Sequence, residues 1–210
     1  MISPNNININ NIEIFKSFSS NGIKRIEAEG VINSYEVGQA ISSKKIISNS
    51  IQIILEGNAR LLCVDGNNYF TARKLKRGDV IGLASILNAK SFEEVNASSK
   101  LIAISLPDQL IIDLYAAEPE FKKWCNEKLF PSEALGFTEL ILQKSPKLSF
   151  TQQELFSKIY NNSKIINKNN TELINTSKED YILIWGANSK NLTSTEQLIS
   201  NTKVEVNGPF

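Results

Sequence analysis

The groups able to do chemistry are few in this chain of 210 residues, and their kinds are limited. There is no histidine, which removes the commonest general base, the Ser-His and Cys-His nucleophile pairs and most transition-metal sites. The two cysteines, Cys63 and Cys125, lie far apart with no CxxC spacing. Neither a disulfide framework nor a zinc site is expected from them, and Cys63, in the apolar run Leu61–Val64, reads as a buried structural thiol. The neighbouring carboxylates Glu93 and Glu94, and Glu118 and Glu120, have the spacing of solvated turns rather than of a catalytic dyad. No Walker A sequence, GxGxxG or GxSxG occurs. The expectation is a protein without catalytic residues, metal or cofactor. What remains is anion chemistry. Gly82 follows the apolar pair Val80-Ile81 and precedes Leu83–Leu87. A glycine there lets the backbone approach an anion, and a short helical turn aims free N–H groups and its positive dipole end at it. Arg60, Arg73, Arg77 and Lys90 are the nearby cations, the arginines reading first as solvated surface charges; after Arg77 the chain has no arginine.

The elements that must position this turn show in the texture of the sequence. From Ile23 to Ser105, short Ile- and Val-rich runs are punctuated by Gly, Asn and Asp every 8 to 12 residues or so, the pattern of an antiparallel sandwich or barrel. It predicts strands at Lys24–Ala28, Val31–Tyr35, Gln39–Ile41, Lys45–Ser48, Ser50–Leu55, Ala59–Val64, Tyr69–Lys74, Val80–Gly82, Glu93–Ala97 and Leu101–Ser105. Asp65-Gly66-Asn67 reads as a tight hairpin. Ala59, Leu61 and Cys63 share one face of their strand and Arg60 lies on the other, as in a half-buried wall. Ahead of the sheet, Ile12, Ile14, Phe15 and Phe18 suit a short amphipathic helix ending near Asn21-Gly22. Beyond Ser105, helical spacing returns. Asp108 is the expected N-cap of a first helix, Pro119 opens a second with Phe121, Trp124 and Cys125, and Pro131 precedes a third through Gln143. Thr151 and Glu154 form a capping box for a fourth, running to about Tyr160. After a polar linker at Asn161–Asn170, Tyr181–Trp185 reads as an apolar strand, with Lys203–Val206 its expected partner.

The stretch Ile51–Ser105 resembles the cyclic-nucleotide-binding domain family, through "IQIILEGNARLL", "YFTARKLKRGDVIGLASIL" and "EEVNASSKLIAIS" in that order. In that family a strand ends in a glycine (here Gly57), a Gly-Asp pair follows a hydrophobic position (Leu75, then Gly78-Asp79), a glycine opens the phosphate-binding cassette (Gly82), and an apolar–x–Ala strand follows it (Val95, Ala97). Upstream "YEVGQAI" is similar to the family's Gly-containing turn, and "LPDQLIIDLYAAEPEF" to the two helices after its roll. The likeness spans about Ile12 to Leu129. It implies a fold that is mainly β with α: a β-roll, or double-stranded β-helix jelly roll, with flanking helices. By the same resemblance the vestigial ligand cassette comprises Gly82, Leu83, Ala84, Ser85, Lys90, Ser91 and Phe92.

The departures from the family pattern decide what the resemblance implies for binding. Family members carry a Glu directly after the cassette glycine, which accepts from the ribose 2′-hydroxyl, and about ten residues on an Arg that pairs with the cyclic phosphate. Here Leu83 stands at the Glu position and Ser91 at the Arg position. Lys90, one residue away, is a point charge without the bidentate fork, and Glu93 and Glu94 bring negative charge to the cassette's far end. Losing a buried Arg–phosphate contact costs several kcal/mol or more, so cyclic-nucleotide binding is disfavoured, with Leu83, Ile86 and Phe92 expected to fill the former pocket. A different small ligand, with Arg60, Arg73 or Arg77 as anion partner, stays open.

The function expected is therefore a non-catalytic regulatory or sensor domain with weak or lost cyclic-nucleotide binding, the N-terminal regulatory part of a larger bacterial protein such as an ABC-type exporter. The alternative is a catabolite-activator-type transcription regulator sensing a small ligand; it would need a helix-turn-helix with a basic face beyond about residue 145. A lead-in at 1–22, a roll with its following helices at 23–130 and a helical linker with a small β-containing appendage at 131–210 is the expected division. The Asn207-Gly208-Pro209-Phe210 terminus fits either a true end or the front of a longer polypeptide. With 23 Lys and Arg against 22 Asp and Glu, net charge is +1, and bulk electrostatics predicts no nucleic-acid partner. Met1–Asn11 lacks the apolar region of a signal peptide and no stretch approaches the length of a membrane span, so the expected location is the cytoplasm. Partners left open are an adjacent domain, a separate protein, or a second copy meeting along Leu110, Leu114, Phe121 and Trp124.

Overall fold

The computed structural model describes residues 11–65, 68–91, 93–144 and 150–163, and in the tail the strands Glu172–Asn175, Tyr181–Trp185, Glu196–Ser200 and Lys203–Val206. The β part of the sequence closes into two four-stranded antiparallel sheets. The first holds β1 (Val31–Tyr35), β8 (Leu101–Pro107), β3 (Ser50–Glu56) and β6 (Val80–Ile81), in that order. The second holds β2 (Ala40–Ser42), β7 (Glu94–Ala97), β4 (Ala59–Asp65) and β5 (Asn68–Leu75). Their alternation builds the interior. Ile54, Leu101, Ala103 and Ile81 of the first sheet meet Ala59, Leu61, Cys63, Leu75, Val95 and Ala97 of the second, all buried in one apolar cluster. This is the β-roll with flanking helices that the family resemblance implies.

A second core lies on the outer face of the first sheet. Ile51, Ile53, Leu55, Ile104 and Leu106 point there and are covered by a 3-10 turn (Glu13–Ser17), α1 (Ser20–Glu29), α3 (Asp108–Ala117) and α4 (Pro119–Glu127). Strand β3 is thus buried on both faces, with Ile51 through Leu55 all at 1% exposure or less except Gln52. Leu110, Leu114 and Phe121 are buried inside this core and Trp124 packs at its margin. The apolar seam expected along α3 and α4 is packed back on its own roll.

Five local expectations need correction. Lys24–Ala28 is the second half of α1 rather than a strand. Ser19 caps that helix by accepting from the Gly22 N–H at 3.2 Å, and Ile23 and Ile26, three residues apart, turn together toward the core. The amphipathic segment ahead of it, expected as a helix ending near Asn21-Gly22, is the 3-10 turn Glu13–Ser17, and Asn21-Gly22 lies inside α1. Lys45–Ser48 lies in the loop between β2 and β3, with Ile46 and Ile47 exposed. Asp108 opens α3 as its first residue, with Pro107 at the cap position. In the tail, β10 (Tyr181–Trp185) pairs with β11 (Glu196–Ser200), and β12 (Lys203–Val206) pairs with β9 (Glu172–Asn175), so Lys203–Val206 is not the partner of Tyr181–Trp185. The hairpin residues Gly66 and Asn67, and most of the Asn161–Asn170 linker, lie outside the described residues.

Gly57 joins β3 to β4 at φ +82, and a Cβ there would lie 2.2 Å from the Lys100 carbonyl oxygen. Any side chain would need that backbone to move, which is why the residue that ends this strand is glycine. Two further helices, α5 (Pro131–Lys144) and α6 (Gln152–Asn162), close the roll. Their Ala134, Leu135, Ile141, Leu155, Phe156 and Ile159 join the cluster between the sheets. At the start of α6 the expected capping box is present: the Thr151 hydroxyl accepts from the Glu154 N–H at 3.2 Å, and the Glu154 carboxylate accepts from the Thr151 N–H at 2.9 Å. Thr151→Ala should lower the free energy of unfolding by about 1 kcal/mol, read as a shift in the urea midpoint at unchanged slope.

Candidate functional site

The cassette forms where the sequence places it. Strand β6 ends at Ile81, Gly82 turns at φ +91, and α2 (Leu83–Leu87) begins. A Cβ at Gly82 would come 3.1 Å from the Ser50 carbonyl oxygen, so the turn needs glycine for its conformation and for its approach to β3. The geometry expected of an anion cradle is present in outline: a left-handed glycine whose N–H faces inward, followed by a helical turn.

That N–H is already engaged. The Gly82 amide donates to Oε1 of Glu93, eleven residues on. Glu93 is 4% exposed, and its carboxylate also accepts from the hydroxyl of Ser132, near the start of α5. Beside it Glu133 accepts from Asn88 Nδ2 at 3.2 Å and from the Phe130 N–H at 2.9 Å. Asn88 caps the far end of α2 and also donates to the Ala84 carbonyl at 2.9 Å. The buried Glu93 carboxylate and the partly buried Glu133 carboxylate therefore hold the start of α5 against the cassette. Burial, which disfavours the charged form, pushes Glu93 up to about 7, and the negative Glu133 adds to it; hydrogen bonds from Gly82 and Ser132 pull the other way. Glu133 is also raised, again chiefly by burial.

Around this pair the expected site residues separate. Leu83 and Ala84 are buried in the helical core on the outer face of the first sheet, with Ile86 and Leu87 at its margin. They do not fill the inside of the roll; α5 and α6 do. Ser85 is buried and Lys90 is exposed. Ser91, at the position where the family carries Arg, donates its hydroxyl to the Ser43 carbonyl at 2.9 Å. Phe92 lies outside the described residues. The three arginines are placed apart in role. Arg60 is exposed, Arg77 donates to the Leu55 carbonyl, and Arg73 lies with its guanidinium carbon 4.5 Å from the centre of the Tyr160 ring on α6. The Nε of Arg73 is buried without a hydrogen-bond partner.

Reading residue types and spacing left out Glu93 as an inward group, treating it with Glu94 as a charge at the rim. The signal that places it was present. Val95 and Ala97 face the interior of β7, and Glu93 has their parity, so the alternation carries it inward with them. Nothing in the spacing marks Ser132 or Glu133 as its neighbours.

Both cysteines are buried, and burial pushes the Cys125 thiol up to about 12, which leaves it protonated. Among the described residues no group of three or more His, Cys, Asp or Glu side chains could hold a metal ion, and no helix is long and apolar enough to cross a membrane.

No family model matches the chain, and no curated protein matches it. Solved structures do. A protein described as a transcriptional regulator of the Crp/Fnr family, from Eubacterium rectale, is 13% identical with a TM-score of 0.50, over 70% of this chain and 79% of its own. The regulatory subunit of a cAMP-independent protein kinase A from Trypanosoma brucei is 18% identical with a TM-score of 0.46, over 55% of this chain and 47% of its own. A protein described as cyclic nucleotide-binding, from Geobacter metallireducens, is 16% identical with a TM-score of 0.49, over 59% of this chain and 89% of its own. The chain thus spans about half the length of the trypanosomal subunit. At these identities the likeness is one of fold, and the fold is the β-roll found in cyclic-nucleotide-binding domains.

Proposed function

We propose that this β-roll of the cyclic-nucleotide-binding type is a non-catalytic regulatory module whose anion cradle is filled from within, so that it no longer binds cyclic nucleotides. The observation that carries this reading is the Glu93 carboxylate accepting from the Gly82 N–H inside the cassette. A backbone donor that already serves a buried carboxylate is not available to a phosphate, and a phosphate brought beside Glu93 and Glu133 meets like charge in a poorly solvated site. The residues that would offset this are changed as well, with Leu83 and Ser91 in place of the two polar anchors.

With the ligand contact gone, what such a module offers is surface and the disposition of its helices. Its finer placement, as the regulatory part of a larger bacterial protein such as an ABC-type exporter, draws on the family resemblance; whether the reading frame runs on into a membrane or ATP-binding region decides it. The transcription-regulator alternative finds no support in α6. Its sequence, Gln152–Asn162, carries a single cation, Lys158, where a recognition helix needs a basic face.

Calorimetric titration tests the main point. Cyclic AMP and cyclic GMP should give no heat up to about 1 mM, a concentration that corresponds to only ~4 kcal/mol of binding free energy. Micromolar binding by either nucleotide would mean that Glu93 is displaced by ligand, and the reading would fall.

A further inference from the structure

The contacts of Glu93 and Glu133 do more than fill a cradle, because they join the cassette to the start of α5. Glu93 lies in the chain between α2 and β7, and it meets the Gly82 N–H from the cassette and the Ser132 hydroxyl from α5. Glu133, on α5, meets Asn88 at the end of α2. The titratable group facing Glu93 is Glu133; from the cassette it receives the neutral Gly82 donor and from α5 the neutral Ser132 donor. Two turns further along α5, Glu139 pairs with Lys44 of the loop after β2, at the half-exposed edge of the same helix. Apolar side chains in the cluster between the sheets, the contact of Arg73 with Tyr160, and a hydrogen bond from Gln152 to Glu139 also hold α5 and α6.

A carboxyl as buried as that of Glu93, with the partly buried Glu133 near enough to act on it, cannot ionise without cost, since burial strips its hydration and a second negative charge repels it. We propose that Glu93 and Glu133 form a proton-dependent latch that fastens α5 and α6 to the cassette, tight while the pair retains a proton and loosened as both ionise. The occupied cassette is then a sensor of pH, with the helical pair as its moving part. This rests on the reading of the cradle as self-filled, and the two fail separately. Nucleotide binding overturns that reading, whereas a pH-insensitive α5 overturns the latch.

Amide hydrogen exchange of the full chain tests it, with rates at each pH divided by the intrinsic chemical rate. A group that holds its proton up to about 7 when docked, and only to about 4.5 when released, makes opening rise up to about tenfold per pH unit across that range and level off above it. The α5 amides should therefore open about fortyfold more readily at pH 7 than at pH 5, and at each pH more readily than those of β3, which open only with the whole roll. Glu93→Gln keeps a hydrogen-bonding group of the same shape and should remove most of that rise. The double variant E93Q/E133Q should remove what is left. Opening of α5 that is flat with pH in the natural chain overturns the latch, and so does a rise that persists unchanged in the double variant. Retention of the β3 protection pattern in each variant shows that the roll itself has folded.

Discussion

Phe121→Ala should cost the fold about 3–5 kcal/mol, the usual penalty for emptying a fully buried aromatic site. Phe121 is 0% exposed, at the centre of the core on the outer face of the first sheet. Its ring centre lies 4.5 Å from that of Phe18 and 6.2 Å from that of Trp124. Truncation removes the ring that joins α4 to the chain ahead of α1. The surrounding shell of Ile14, Phe18, Leu114 and Trp124 comes from separate elements that cannot all collapse into one space. Polar contacts bracket the same seam, with the Glu118 carboxylate accepting from the Ser19 hydroxyl at 2.6 Å and from the Ser19 N–H at 3.1 Å. The loss would be read as a lower urea midpoint at unchanged slope. Ile112→Ala, at a position 47% exposed on α3, is the control and should stay within about 0.5 kcal/mol. A loss at Phe121 no larger than at Ile112 would mean that α4 is not seated on this core.

The second large effect is a dependence of global stability on pH that runs through one side chain. Glu93 is raised from 4.5 to about 7 in the folded protein. Over that interval the native state holds a proton that the unfolded chain has released, so stability falls as pH rises from about 4.5 and stops falling above about 7. The size is on the order of 3 kcal/mol. Burial of Glu133 acts in the same sense. Asp113 and Glu154 act in the opposite sense, since hydrogen bonds lower both and their contribution is lost on acidification. Comparing Glu93→Gln with the natural chain cancels those other groups. The variant should be the more stable of the two by about 3 kcal/mol at pH 8, with the gap closing as pH falls toward 5. A gap that stays constant with pH would show that Glu93 does not titrate in the folded state.

The parts of this fold that could be read from the sequence are those that local chemistry dictates. Gly57, Gly78 and Gly82 all sit at positive φ, where only a residue without a Cβ is at ease, so their spacing between apolar runs marks the turns of the roll. Thr151 and Glu154 satisfy each other within one helical turn, and the cap can be read from four residues. The alternation in Ala59–Cys63 gives the buried face of β4, and the same alternation carried back from Val95 gives the direction of Glu93. Where a segment lacks its own decisive signal the reading slips. Lys24–Ala28 has one isolated apolar residue at Ile26, and its helical identity comes from the Ser19 cap and from packing against α3 and β8. The four tail strands are four or five residues long, too short for their own pattern to select a partner.

By itself, then, the sequence determined the roll, its glycine turns, the cassette and the absence of the two anchors that a cyclic nucleotide would need. The glycine turns and strand faces follow from sterics and hydrogen bonding within a few consecutive residues, whereas the roll, the cassette and its two missing anchors follow from the family resemblance. Only the tertiary structure decided what occupies the cassette. The donor is Gly82, the acceptor Glu93 lies eleven residues away, and Ser132 and Glu133 arrive from a helix nearly forty residues further on. Such a meeting is set by how α5 packs into the open side of the roll through Ala134 and Leu135. The burial that shifts Glu93 comes from that same packing, because desolvation belongs to the assembled environment of a carboxyl and not to the residue itself.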